Sequence, residues 1–110
     1  MDARWQRIKN RILGKSFNLS VVFADDNLLR KLNRKYRGKD KSTAVLSFRL
    51  TEKDGEIFIN KKFAKKRAYF DYLFIHSLLH LKGFRHGKKM EKEEEKLINK
   101  VYGQKHYNGN

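Results

Sequence analysis

A chain of 110 residues, 39% hydrophobic and 13% aromatic, is long enough to bury one core and too short for two. It has no cysteine, which excludes disulfide scaffolds and thiolate metal sites, so any metal must be held by histidine or carboxylate. Its 27 Lys and Arg against 12 Asp and Glu leave a formal charge of +15, a field that draws phosphate backbones in a salt-dependent way. Abundant Lys and Asn without Pro also fit a compositional bias, but an excess this large in one domain favours a nucleic-acid partner.

Residues 3–13, ARWQRIKNRIL, set Trp5, Ile8 and Ile12 at helical spacing and predict a short amphipathic helix. FNLSVVF (17–23) alternates and then runs apolar, as a strand does. Asp25 or Asp26 can cap the next helix, DDNLLRKLNRKYR, with Leu28, Leu29, Leu32 and Tyr36 on one face. RGKDK is a loop, and TAVLSFRL (43–50) is a strand by its β-branched and aromatic content. Lys53-Asp54-Gly55 signals a hairpin turn into a returning strand, GEIFIN (55–60). From about 64 to 82, Phe70, Leu73, Phe74, Leu78, Leu79 and Leu81 form an apolar surface broad enough to require a central, buried helix. Gly83 supplies its stop. A last helix near 89–102 carries Met90, Leu97 and Val101 on one side, with Glu91 and Glu93–Glu95 near its positive N-terminal end.

The order α-β-α-β-β-α-α implies an α+β fold: one domain over 1–110, with a mixed sheet of four strands or fewer packed on helices. The first two strands flank a helix and can pair in parallel through a right-handed crossover. The tail, about 103–110, is expected to be a disordered extension. No apolar stretch is long enough to span a bilayer, and the N-terminus lacks the apolar run of a signal peptide, so the expected location is cytoplasmic.

Three of the four histidines fall within HSLLHLKGFRH (76–86). His76 and His80, four apart on a helix, face the same way and can reach one ion at about 2.0–2.1 Å. Gly83 lets the chain double back, so His86 can approach from another direction. Three imidazoles with one position open to water is the ligand set of a catalytic zinc site, whereas a structural site is closed by a fourth ligand. Nickel or copper would suit the same nitrogens. His106 reads as an ordinary surface histidine.

HSLLHLKGFRH resembles the H-G-x-L-H-L-x-G-Y-D-H signature of the bacterial YbeY-type metalloproteins, the rRNA-maturation endoribonucleases. NRKYRGKDKSTAVLSF (33–48) is similar to that family's N-x-x-Y-R-x-x-x-x-x-T-D-V-L-S-F segment, and GEIFI to its G-D-I-x-I. The likeness covers roughly residues 17–100. It implies one zinc per chain on His76, His80 and His86, and single-strand endoribonuclease activity in 16S rRNA 3′-end maturation and ribosome quality control. Arg37 matches the arginine that the family places near its cleft. Ala44 and Arg85 stand where the family has aspartates, while Ser77 and Phe84 replace a glycine and a tyrosine. Carboxylates that hydrogen-bond ligand imidazoles typically matter about 10–100-fold to metal sites, so the first two changes weigh most. Glu56 keeps the acid of G-D-I.

Arg37 is the expected catalytic residue, because a planar guanidinium pairs with two phosphate oxygens and can stabilise the charge of the transition state. Ser77 occupies the place of the glutamate in H-E-x-x-H proteases, so no general base is evident, and RNA could supply its own 2′-hydroxyl. Arg34, Lys35, Lys39 and Lys41 from the loop, with Lys82, Arg85, Lys88 and Lys89 beside the histidines, are the expected RNA contacts lining a positive cleft. Lys61, Lys62, Lys65, Lys66 and Arg67 read as a solvated face. The partners are then single-stranded RNA and the small ribosomal subunit, met by a monomer. A second reading, favoured by Ala44 and Arg85, is an RNA- or ribosome-binding module with a structural or vestigial metal. A metal hydrolase acting on another substrate fits the charge less well.

Overall fold

The computed structural model describes residues 1–102, so the expected tail and His106 lie outside the described residues. Helix α1, Ala3–Leu13, begins where the Asp2 carboxylate accepts from the Trp5 N–H at 2.8 Å, and it buries Trp5, Ile8 and Ile12 as the periodicity requires. Strand β1 is Asn18–Ala24. Helix α2, Asp26–Arg37, is capped by Asp25, which accepts from the Leu28 N–H at 2.9 Å. Its buried face is narrower than expected. Leu29 and Asn33 are buried, but Leu28 and Tyr36 are 37% and 52% exposed. Asn33 has a task there: its Nδ2 donates to the Lys41 carbonyl at 2.9 Å and ties the following loop to the helix.

Strands β2, Val45–Arg49, and β3, Asp54–Asn60, form the expected hairpin. The sheet order, β1-β3-β2, departs from expectation: β1 runs parallel to β3, and β2 is antiparallel to β3. Thus β1 does not pair with β2. The hairpin already occupies one edge of β3, and Ile57 and Ile59, both 0% exposed, make β3 the most buried strand and the natural centre. Gly55 permits close packing at its start, since a Cβ there would lie 2.9 Å from Phe17 Cζ and 3.2 Å from Leu81 Cδ1.

After β3, the Asn60 side chain accepts from the Lys62 N–H at 3.1 Å, and Lys61–Phe63 forms a single 3-10 turn. The central helix α3 therefore starts later than the periodicity suggests and spans Arg67–Lys82. It packs against the sheet on one side and against α1 and the C-terminal helix on the other, and buries Phe70, Leu73, Phe74, Ile75, Leu78, Leu79 and Leu81. Trp5 stacks on Phe74 with ring centroids 4.0 Å apart. Helix α4, Lys88–Tyr102, closes the domain with Met90 and Leu97 against the core.

At the N-terminal end of α3, the fully buried Asp71 carboxylate accepts from Trp5 Nε1 at 2.6 Å, from Arg4 and from the Tyr102 hydroxyl, and Arg67 Nε lies 3.2 Å away. A buried charge is tolerated when it is hydrogen-bonded and paired, and here the partners come from α1, α3 and α4 together. Burial and the adjacent Asp71 carboxylate push the Tyr102 hydroxyl up to about 12.

Candidate metal centre and cleft

The other end of α3 carries His76 and His80 one turn apart, and Gly83 ends the helix with φ +115, a backbone conformation that favours glycine. The Gly83 N–H donates to the Leu79 and His80 carbonyls, and the Phe84 N–H donates to Leu79 at 2.9 Å. This reversal returns His86 to the other two. The ring centroids lie 4.6 Å apart for His76–His80, 5.1 Å for His76–His86 and 4.6 Å for His80–His86.

Outer partners set the imidazole orientations. His76 Nδ1 lies 2.5 Å from Glu94 Oε2, and His80 Nδ1 lies 3.0 Å from the Phe84 carbonyl. Both partners are acceptors, so both Nδ1 atoms carry the proton. With both rings neutral, that leaves His76 Nε2 and His80 Nε2, 3.1 Å apart, as two lone pairs facing each other. Two lone pairs at this distance repel unless a cation or a shared proton lies between them. Tetrahedral ligands about 2.0–2.1 Å from a shared zinc ion sit about 3.3 Å apart, so the spacing fits a bound metal. One ligand atom from each of the three histidines falls within 4.8 Å of the others. Burial, helped by His76 and His86, holds the His80 imidazole below its ordinary range and hence in the neutral form a ligand needs.

The histidines form one wall of an open cleft of 690 Å³, together with Tyr72, Leu73, Ser77 and Leu81. Arg37, residues 43–47 and Arg49 form the other wall. Arg37 donates to the Ser47 carbonyl at 3.1 Å and lies over the Phe48 ring at 5.1 Å, which fixes the guanidinium at the rim while leaving it exposed. Arg49 is spent on structure: it donates to the carbonyls of Thr51, Glu52 and Leu81 and ties β2 to the end of α3.

Of the expected site residues, the structure brings Arg37, His76, His80 and His86 to one cleft. The other basic residues do not line it. Arg34 lies 3.5 Å from Asp40, Lys35 sits over the Tyr36 ring, and Lys82 lines a separate hollow. Lys39, Lys41, Arg85, Lys88 and Lys89 are exposed outside the lining. Ala44 and Ser77 both line the cleft, and the Ser77 hydroxyl is satisfied by the Leu73 carbonyl at 2.9 Å. Glu56 stands in mid-β3, away from it.

Glu94 is the site residue that sequence reasoning missed. It is buried in α4 and presses its carboxylate on His76. A signal was available: Met90, Glu94, Leu97 and Val101 follow helical spacing, so a glutamate sits in the apolar stripe where an aliphatic residue belongs.

This fold and this cleft define a class, a small α+β protein with three histidines positioned to hold a metal ion at the C-terminal end of its central helix. A family model described as "Endoribonuclease YbeY" matches residues 3–102. A protein of Neorickettsia sennetsu named Endoribonuclease YbeY is 33% identical over 92% of this chain and 85% of its own length. One of the same name from Thermodesulfovibrio yellowstonii is 34% identical over 76% of this chain and 66% of its own length. The solution structure of TM1509 from Thermotoga maritima matches with TM-score 0.58 and 25% identity, covering 96% of this chain and 81% of that one. The chain belongs to the YbeY endoribonuclease family.

Proposed function

We propose that the protein is a zinc-dependent, single-strand-specific endoribonuclease acting in 16S rRNA 3′-end maturation and ribosome quality control, as a cytoplasmic monomer carrying one zinc ion. One observation carries the reading: the Nε2 atoms of His76 and His80 facing each other at 3.1 Å, with His86 beside them, in a cleft whose facing rim presents Arg37. Two relatives bear the name Endoribonuclease YbeY, and the charge of +15 suits an RNA substrate. Among the described residues no helix is long and apolar enough to cross a membrane.

When bound, zinc supplies a Lewis acid and lowers the pKa of its water toward neutrality. The protein's own groups do the rest. His76, His80 and His86 hold the ion, with Glu94 and the Phe84 carbonyl orienting two of the rings. Arg37 binds the scissile phosphate and stabilises charge as it builds.

The cleft lining holds no carboxylate among the described residues, and this favours a second reading: an RNA-binding module whose metal is structural or vestigial. One experiment separates the two. Purified protein should contain about one zinc per chain. It should also cut single-stranded RNA and lose that activity with chelator or His80→Ala. RNA binding without cleavage, by fully loaded protein, establishes the module instead. Cleavage that survives both treatments overturns the metal-dependent reading.

A further inference from the structure

Arg4, Arg7 and Arg11 recur at i, i+3 and i+7 along α1, a helix with no acidic residue. At 1.5 Å per residue the stripe spans about 10 Å. Opposite it, α4 presents Lys96 and Lys100, and the end of α3 adds Lys82. Two adjoining hollows of 330 and 250 Å³ lie between these helices; they share Arg11, Leu97 and Lys100 and have no lining residue in common with the histidine cleft.

The charges here are segregated. Glu91 and Glu93–Glu95 gather in the first half of α4, and only Glu93 reaches this groove, 3.7 Å from Lys96. Arg4 is engaged by Asp71. Arg7, Arg11, Lys82 and Lys100 have no ion-pair partner among the described residues. An ordinary solvated helix face intersperses opposite charges three or four apart, and like charges at that spacing destabilise it. A row of unpaired cations over a recessed floor is suited to a polyanion.

We propose that the α1–α4 groove is a second RNA surface, seating the phosphate backbone of a folded RNA while the cleft receives a single strand. This rests on the reading of the partner as RNA but uses none of the residues assigned to the cleft. An anionic membrane fits less well. The apolar floor residues Ile8, Ile12 and Leu97 are 7%, 7% and 9% exposed, too recessed to enter a bilayer, while the cations form the rim.

The test compares the full chain with the triple variant Arg7→Ala/Arg11→Ala/Lys100→Ala, all exposed helical positions where alanine is a good helix former. Binding to a hairpin RNA is measured across a salt series, beside zinc content and cleavage of a short unstructured oligoribonucleotide. The variant should bind the hairpin about tenfold or more weakly at low salt, with a log–log salt slope shallower by about 2. Zinc content and oligonucleotide cleavage should be unchanged. Unaltered hairpin affinity and slope overturn the proposal. So does binding to phosphatidylglycerol vesicles that the variant loses while keeping its RNA affinity. If neither protein cuts the oligonucleotide yet hairpin binding still falls, the nuclease reading fails and the groove stands.

Discussion

The two ends of α3 solve opposite problems with similar materials. At the N-terminal end, Asp71 is surrounded by donors from Arg4, Trp5, Arg67 and Tyr102, and its need for partners is met within the protein. At the C-terminal end, His76 and His80 are each satisfied at Nδ1 but aim their Nε2 lone pairs at one another. The first cluster is closed and holds helices together. The second leaves its ring nitrogens turned toward a position that a shared cation can occupy. Burial of polar groups alone does not mark a functional site; the marker is polar groups whose valence points at a shared, open position.

This contrast can be broken by mutation. The largest effect is expected from Asp71→Ala, which removes the shared acceptor of the buried Trp5 indole N–H and of the partly exposed Arg4, Arg67 and Tyr102, and should cost roughly 3–5 kcal/mol in urea-monitored unfolding. Its folded fraction should still bind zinc, and loss of metal by that fraction would join the two ends functionally and defeat the distinction. Zinc itself should add about 2.7 kcal/mol at a free concentration one hundred times its dissociation constant. His80→Ala should abolish that increment while leaving the metal-free protein nearly as stable as before. Glu94→Ala should weaken zinc affinity about 10–100-fold in a chelator-competition titration, with Glu94→Gln retaining part of the orientation. Unchanged affinity in both would leave Glu94 as packing only.

The smallest effect concerns pH. The Tyr102 hydroxyl has a folded pKa raised from 10.0 to about 12, so its contribution is fully present below pH 10 and is lost as pH rises toward 12. Tyr102→Phe should flatten that alkaline decline and cost about 0.5–1.5 kcal/mol at neutral pH, read from thermal melts. A decline of unchanged steepness would place its origin elsewhere.

What was legible in the sequence was local. His76, His80, Gly83 and His86 lie on one helix end and one turn, so spacing alone locates them, and the apolar breadth of residues 70–81 foretells a central helix. What depended on distant partners was harder to read. β1 pairs with β3 because the hairpin leaves that edge free, which no pattern in residues 17–23 records. Asp71 gives no sign of its role until α1 and α4 are seen across from it. Glu94 could be suspected as a charge in an apolar stripe, but its partner could not be named.

The separation between near and distant contacts also orders the events of refolding. The three histidines span residues 76–86 and need only a helix end and a turn, and elements of that kind form in about a microsecond. The facing wall comes from β2, which Arg49 ties to the Leu81 carbonyl of α3 across 32 residues, and such long-range contact is slow. The gathering of the three histidines therefore belongs to the fast part of the molecule and the closing of the cleft around them to the slow part. A refolding chain can bring its histidines together before it has a cleft to enclose them.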